Sequence, residues 1–316
     1  MNSGQRERVY AFLDSLGIQY GKIDHPPIFT QADSEARGVH LDATIFKNLF
    51  LRNKDKSRYY LYSLPLANRA DLSAVSAALG ESRLSFGDEA ALQEKLNIQH
   101  GAVSFLNIIG IESTDVTLLI DSCAFFFDRI GVHPNDNTAT VTLNPYDIQK
   151  ILDACSADYR FLALEQGIGA VIEKANEADA AEILRLQYAA YQSEAHIYND
   201  YTIQPLSQTL DQAKAEYRDG LVLKAVSGGR IIGSVRAYEK GDTAYIGKLM
   251  VLPGYQDRGL GKRLLQSIED EFAGGRFELF TGAKSEKNLR LYEKCGYTRY
   301  KTEEAALGLA FVYLEK

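Results

Sequence analysis

Gly259 and Gly261 sit where a short apolar run ends and a helical pattern begins. Ile246 to Leu252 reads as a strand, and Pro253 with Gly254 stops it. After Gln256-Asp-Arg-Gly-Leu-Gly261, Leu264, Leu265 and Ile268 recur on one helical face. A strand, a glycine-bearing turn and a helix start make an anion site. The first helical N–H groups lack intrahelical partners, and the helix dipole adds positive charge. Glycines there let the backbone approach a phosphate closely. The spacing fits neither a dinucleotide fingerprint nor a P-loop.

Two residues of the first half also stand out. Lys47 interrupts an apolar stretch with Phe46, Leu49 and Phe50 around it. It lies either on the solvated face of an edge strand or in a cleft. His133 lies in Gly131-Val-His-Pro-Asn-Asp-Asn137, a run of turn formers. Such a histidine is commonly a surface residue, but its titration near neutral pH suits it to moving a proton. Arg52, Lys54, Lys56 and Arg58 form a local basic patch or a solvated hairpin turn.

The elements that must position these residues fall into two sets. With 316 residues, 46% hydrophobic and 24% charged, the chain has the size and composition of two globular α/β domains. We place the boundary in Glu165-Gln-Gly-Ile-Gly169, giving domains 1–165 and 166–316. The first half should run helix Gln5–Leu16, strand Phe46–Leu51, hairpin, strand Tyr59–Leu64, and helices behind Asp71 and Asp88. Strands follow at Val103–Ile109, Val116–Ile120 and Ala139–Leu143, then a helix from Asn144. The second should run strand Ala170–Lys174, helices Asp179–Tyr191 and Leu206–Tyr217, and a hairpin about Ser227–Arg230. The strand into the glycine turn follows, then helix, strand Phe277–Thr281, helix Ser285–Gly296 and a closing strand at 309–315.

A net charge of −7 excludes a globally basic nucleic-acid binder, so contact with RNA must be local. No apolar run approaches the roughly 20 residues of a membrane span, and no signal segment opens the chain. Three widely spaced cysteines fit reduced thiols in a cytoplasm, and no His/Cys spacing suggests a metal.

His25-Pro-Pro-Ile-Phe-Thr30, Phe46-Lys-Asn-Leu-Phe-Leu51, Arg83-Leu-Ser-Phe86 and Gly131 to Val141 resemble the YbaK/prolyl-tRNA-synthetase editing-domain family. The likeness is greatest to its free-standing alanyl-tRNA(Pro) deacylases and covers nearly all of residues 5–160. It implies a mixed sheet wrapped by helices that hydrolyses a mischarged ester at the tRNA acceptor end. The family's essential lysine corresponds to Lys47, the neighbouring amide to Asn48 and the loop histidine to His133. Its substrate loop corresponds to Gly101-Ala-Val-Ser104-Phe105, with Phe105 in place of the usual proline, which leaves the amino-acid specificity open. His25, heading the first segment, joins the substrate set. Such a second site answers a real need, because a synthetase pocket rejects a smaller amino acid by only a few kcal/mol.

Gln256, Gly259 and Gly261 resemble the pyrophosphate loop of the GNAT acetyltransferases, and the element order of residues 170–316 resembles that whole fold. The resemblance implies acetyl-CoA as cosubstrate. It would be held by Leu249, Met250 and Val251 on the strand, by Gln256, Asp257, Arg258, Gly259, Leu260, Gly261 and Lys262 in the turn, and by Asn288. Tyr292 falls where the family supplies a general acid to the leaving thiolate. The usual glutamate base is missing from Tyr245-Ile-Gly-Lys-Leu249; Glu239 could replace it, or a neutral amine could need none.

These readings give a cytoplasmic, two-domain enzyme, an aminoacyl-tRNA deacylase fused to an N-acetyltransferase. Its partners would be the tRNA(Pro) acceptor end, acetyl-CoA and a small amine or amino acid, without membrane or metal. The alternatives are a tRNA-binding module that delivers aminoacyl-tRNA to the acetyltransferase, or a noncatalytic sensor of tRNA charging.

Overall fold

The computed structural model describes residues 3–27, 42–98, 101–112, 114–164, 169–272, 274–306 and 308–316. Ile28, Phe29 and Thr30 of the first family segment lie outside the described residues, as do 165–168 of the expected junction. The chain divides into two compact units, Met1–Glu165 and Gln166–Lys316.

In the first unit the strands are β1 (Gly21–Asp24), β2 (Thr44–Asn53), β3 (Tyr59–Pro65), β4 (Leu84–Phe86), β5 (Val116–Asp121), β6 (Ile130–Val132), β7 (Ala139–Leu143) and β8 (Tyr159–Leu162). They form one mixed sheet in the order β1-β7-β6-β2-β3-β5-β8, with β4 against β2. β2 runs antiparallel to β3 and parallel to β6, so Lys47 lies on a central strand rather than an edge. The β2 pleat sends alternate side chains to opposite faces. Phe46 and Phe50 enter a core with Val9 and Leu13 of helix Ser3–Ser15 and Ile148, Ile151 and Leu152 of helix Asp147–Ala154. Leu51 enters a second core with Val75 of helix Leu72–Leu79. Asp71 and Asp88 cap the helices they precede, each accepting from backbone N–H groups.

One expectation fails here. Val103–Ile109 is not a strand; Phe105–Ile108 forms a 3-10 turn. The apolar run suggested a strand, but Ser104 and Asn107 make a capping box that turns the chain.

In the second unit the strands are β9 (Val171–Lys174), β10 (Leu221–Ser227), β11 (Arg230–Lys240), β12 (Thr243–Val251), β13 (Arg276–Gly282), β14 (Thr298–Ala306) and β15 (Leu309–Glu315). The order is β14-β15-β13-β12-β11-β10-β9. β12 and β13 are parallel, and helix Leu260–Glu271 makes the crossover they require. Leu264, Leu265 and Ile268 are fully buried along it, as their spacing foretells. The helix expected from Leu206 begins at Leu210, because Thr209 and Gln212 form its capping box. Helix Gln192–Tyr198 has no clear signal in the sequence and proves to matter below.

Candidate functional site

The first unit gathers some of the expected residues and separates others. Lys47 and Asn48 are consecutive in a strand, so their side chains leave opposite faces. The Lys47 ammonium donates to the Leu66 carbonyl at 3.0 Å. Asn48 accepts from its cross-strand neighbour Ser63 and donates to the Val103 carbonyl at 3.0 Å. That bond ties β2 to the glycine-bearing loop. Gly101 has φ 96, a conformation that favours glycine, and Gly101 to Val103 remain partly exposed. Ser104 is fully buried, and its hydroxyl accepts from Leu106 N–H at 3.2 Å. It caps the turn and is not presented to a ligand. Phe105 is also fully buried, packed in the first core. A pocket-lining Phe105 is therefore not what the structure contains; the apolar environment of the 3-10 turn claims the ring.

Asn107 and Asn135 are the residues that sequence reasoning missed. Asn107 Oδ1 accepts from Ser104 N–H at 2.6 Å, and its amide donates to Asn135 Oδ1 at 2.7 Å. Both are buried, and Asn135 takes φ 62, so the pair clamps the glycine-bearing loop to the His133 loop. An asparagine in a turn former's loop was the available signal. The His133 ring lies 6.1 Å from that of His25. Nδ1 of His133 faces the Ala139 carbonyl at 3.0 Å, so it carries the proton and Nε2 keeps its lone pair. Burial is the main cause that holds the His133 pKa below its usual value, and His25 adds to it. His25 is likewise fixed, with Nδ1 on the Pro26 carbonyl and Nε2 on the Thr140 hydroxyl, both at 2.9 Å.

In the second unit β12 carries a bulge. Ser234 pairs with Met250 and Arg236 with Gly247, so β12 has one residue too many, and Lys248 takes φ 48. β12 and β13 pair from Thr243–Arg276 to Ile246–Leu279 and no further. The backbone of Leu249, Met250 and Val251 thus has no paired strand on that side among the described residues, a free edge for an extended ligand.

The turn beyond ends at helix Leu260–Glu271, whose N-cap Gly259 has φ 79 and makes no side-chain cap bond. Its first N–H groups are accordingly available to an anion. A Cβ on Gly259 would meet nothing within 4 Å, whereas one on Gly261 would face Leu291 at 3.6 Å and Val251 at 3.9 Å. Gln256 braces the turn, donating to the Val251 carbonyl at 3.0 Å. Lys287, unmarked in the sequence, brings an ammonium to Gln256 at 3.0 Å and to Asp257 at 3.1 Å. Arg258 lies over the Tyr255 ring. An open helix start, a left-handed glycine and a nearby ammonium fit a pyrophosphate.

Asn288 and Tyr292 lie one turn apart on helix Glu286–Lys294 and share a face. Tyr292 is buried, and burial pushes its hydroxyl well above the usual range, with Tyr191 and Glu194 adding to the shift. A tyrosine in that state holds its proton and can donate it. Glu194 on helix Gln192–Tyr198 accepts from Asn288 at 3.1 Å and from the Ser285 hydroxyl. Burial raises its pKa, against the lowering effect of Ser285 and Asn288. Glu239, considered above as a base, is exposed and pairs with Ala244, about 23 Å of strand from Val251. Behind the bulge, Lys248 donates to Glu216 and is held down to about 8 mainly by burial.

Among the described residues no cluster of three or more His, Cys, Asp or Glu could hold a metal ion, and no helix is long and apolar enough to cross a membrane.

The family description "Aminoacyl-tRNA editing domain" matches residues 25–151, and "Acetyltransferase (GNAT) family" matches residues 180–297. The chain is 33% identical over 164 residues to the prolyl-tRNA editing protein ProX of Acetoanaerobium sticklandii, across 52% of this chain and 100% of that protein. It is 31% identical over 151 residues to prolyl-tRNA synthetase associated domain-containing protein 1 of Mus musculus, across 46% of this chain and 88% of that one. Among solved structures, PaiA N-acetyltransferase of Thermoplasma acidophilum in complex with coenzyme A aligns over 47% of this chain and 98% of that chain, at 18% identity and a TM-score of 0.40. The chain belongs to the aminoacyl-tRNA editing family through its first half and to the GNAT acetyltransferase family through its second, and is an enzyme built of both.

Proposed function

We propose that the first domain hydrolyses mischarged alanyl-tRNA(Pro), and that the second acetylates the released amino acid or a proline-like analogue with acetyl-CoA in the cytoplasm. What carries the editing half is the identity to a prolyl-tRNA editing protein over that protein's whole length. In this reading the N–H groups of Gly101 to Val103 receive the ester oxyanion. Asn48 holds that loop from β2 through Val103. His133 Nε2 takes a proton from the attacking water or from the tRNA's 2′-hydroxyl, while His25 fills in behind it. Lys47 meets the terminal nucleotide, its charge suited to a phosphate.

In the second domain the start of helix Leu260–Glu271 and Lys287 hold the pyrophosphate. The free edge of β12 aligns the pantetheine arm, Asn288 orients it, and Tyr292 protonates the departing thiolate. The two activities complement each other: hydrolysis frees an amine, and acetylation prevents its recharging.

The test is a panel of tRNA(Pro) charged with alanine, cysteine or proline, with and without acetyl-CoA, following ester loss and thiol release together. Free alanine, proline and azetidine-2-carboxylate, a ring-contracted proline, serve as acceptors. Faster loss of alanine than of proline, with thiol release on a free amino acid, supports the reading. Turnover on unrelated amines alone ends the shared-substrate part of it.

A further inference from the structure

Acetyl transfer to an amine releases a proton from the nitrogen, and the strand before the glycine turn offers no carboxylate base to take it. We propose that Glu194 is that base and takes the proton from the acceptor's nitrogen. The proposal rests on the acetyl-transfer reading above and assigns the residue that completes it.

The argument begins with the helix that carries it. Gln192–Tyr198 lies across the end of β13 and the turn after it. Tyr198 accepts from Lys284 N–H at 2.9 Å, and a Cβ on Gly282 would stand 2.5 Å from the Tyr198 hydroxyl. Glycine at that position is what lets the helix come so close. The approach puts Glu194 against Ser285 and Asn288, at the head of the helix that also carries Tyr292. Asn288 and Tyr292 are four residues apart, so Glu194 stands about one helical turn from the general acid. The parallel pair β12–β13 has already separated before this end of β13 is reached.

The partners of Glu194 are neutral. Ser285 and Asn288 orient its carboxyl without a positive charge, and its charge raises the pKa of Tyr191 and of Tyr292. Each carboxylate oxygen accepts one bond in this cluster and retains a lone pair. Glu194 is largely withdrawn from water, which makes its carboxylate a better proton acceptor. Glu216 differs: it is bridged to both Arg236 and Lys248, which hold it ionised and weakly basic. Asp257 is paired with Lys287, and Glu269 with Lys316.

The step balances as follows. The nitrogen lone pair attacks the thioester carbonyl, the C–N bond forms and the C–S bond breaks. The nitrogen's proton goes to Glu194, and the Tyr292 proton goes to the thiolate. Transfer of the proton from Glu194 to the Tyr292 phenolate restores both groups, leaving an amide and a free thiol.

The experiment uses the full chain and compares wild type with Glu194→Gln, Glu194→Asp and Asn288→Ala. Coenzyme A binding is measured by calorimetry. Thiol release from acetyl-CoA is followed from pH 5 to 9 with alanine, proline and azetidine-2-carboxylate. Glu194→Gln keeps the shape of the side chain and should bind coenzyme A within about twofold of wild type. Its kcat should fall by about 10²–10⁴, and the acidic limb of the kcat profile should vanish. Glu194→Asp should recover part of kcat and retain that limb. A Glu194→Gln protein that keeps the limb and most of kcat overturns the proposal. So does one whose defect is weaker coenzyme A binding, matching Asn288→Ala, since Glu194 would then merely hold Asn288. If wild type neither binds coenzyme A nor releases thiol, the acetyl-transfer reading itself falls and the base with it.

Discussion

Gly259 and Gly261 look equivalent as letters, yet they should respond in opposite ways to alanine. Gly259 has φ 79 and ψ 0, so alanine there is forced into the left-handed region. That costs about 1–2 kcal/mol, or about 2–8 °C in Tm for a domain of this size. No protein atom lies within 4 Å of the added Cβ, so packing contributes nothing further. The Cβ instead enters the open space before the uncapped helix start, where the pyrophosphate is expected. Coenzyme A affinity should fall about tenfold or more, which is ~1.4 kcal/mol.

At Gly261 the Cβ faces inward to ordinary contacts with Leu291 and Val251. The position is helical, so replacing glycine by alanine should gain up to about 1 kcal/mol. Gly261→Ala should therefore bind coenzyme A normally and melt no lower than wild type. Calorimetric titration and thermal melts of both variants decide it. Loss of binding in Gly261→Ala with normal binding in Gly259→Ala would refute the placement of the phosphate at the helix start.

Lys47→Ala should lower deacylation by about 10²-fold, the loss of roughly 2.7 kcal/mol of transition-state binding, and leave coenzyme A affinity unchanged; deacylation kinetics beside calorimetry check this. His133 is half-buried with a depressed pKa, so its unprotonated form is the one the fold favours. The first domain should hold that stability above the unfolded value of about 6.5 and lose it as pH falls through the lower folded value. Denaturant melts at pH 7.5 and 5 should show a smaller difference in His133→Asn than in wild type. Phe105→Ala removes a fully buried ring and should destabilise the first domain by about 3–5 kcal/mol. If denaturant titration finds less than 1 kcal/mol, the ring is not the core residue described here.

Several features needed no tertiary structure. Asp71 and Asp88 announced their helices because a carboxylate before an apolar run caps a helix locally. The glycine turn and the helix after it were legible because glycine content and a following helical period are local properties. Lys47 and His133 were visible as polar residues in unlikely neighbours, and the family resemblance is what suggests the roles proposed for them.

What the sequence withheld depends on residues far apart in the chain. Phe105 read as a pocket residue by its place in a motif, but the core formed by helices Ser3–Ser15 and Asp147–Ala154 encloses it. The Asn107–Asn135 clamp joins loops 28 positions apart, and neither asparagine signals the other. Helix Gln192–Tyr198 has too short an apolar pattern to be read, and Glu194 acquires meaning through Asn288, 94 positions away. Local propensity writes caps, turns and periods into the sequence. Burial and proximity, which set the basicity of Glu194 and the tautomer of His133, arise when distant strands and helices pack.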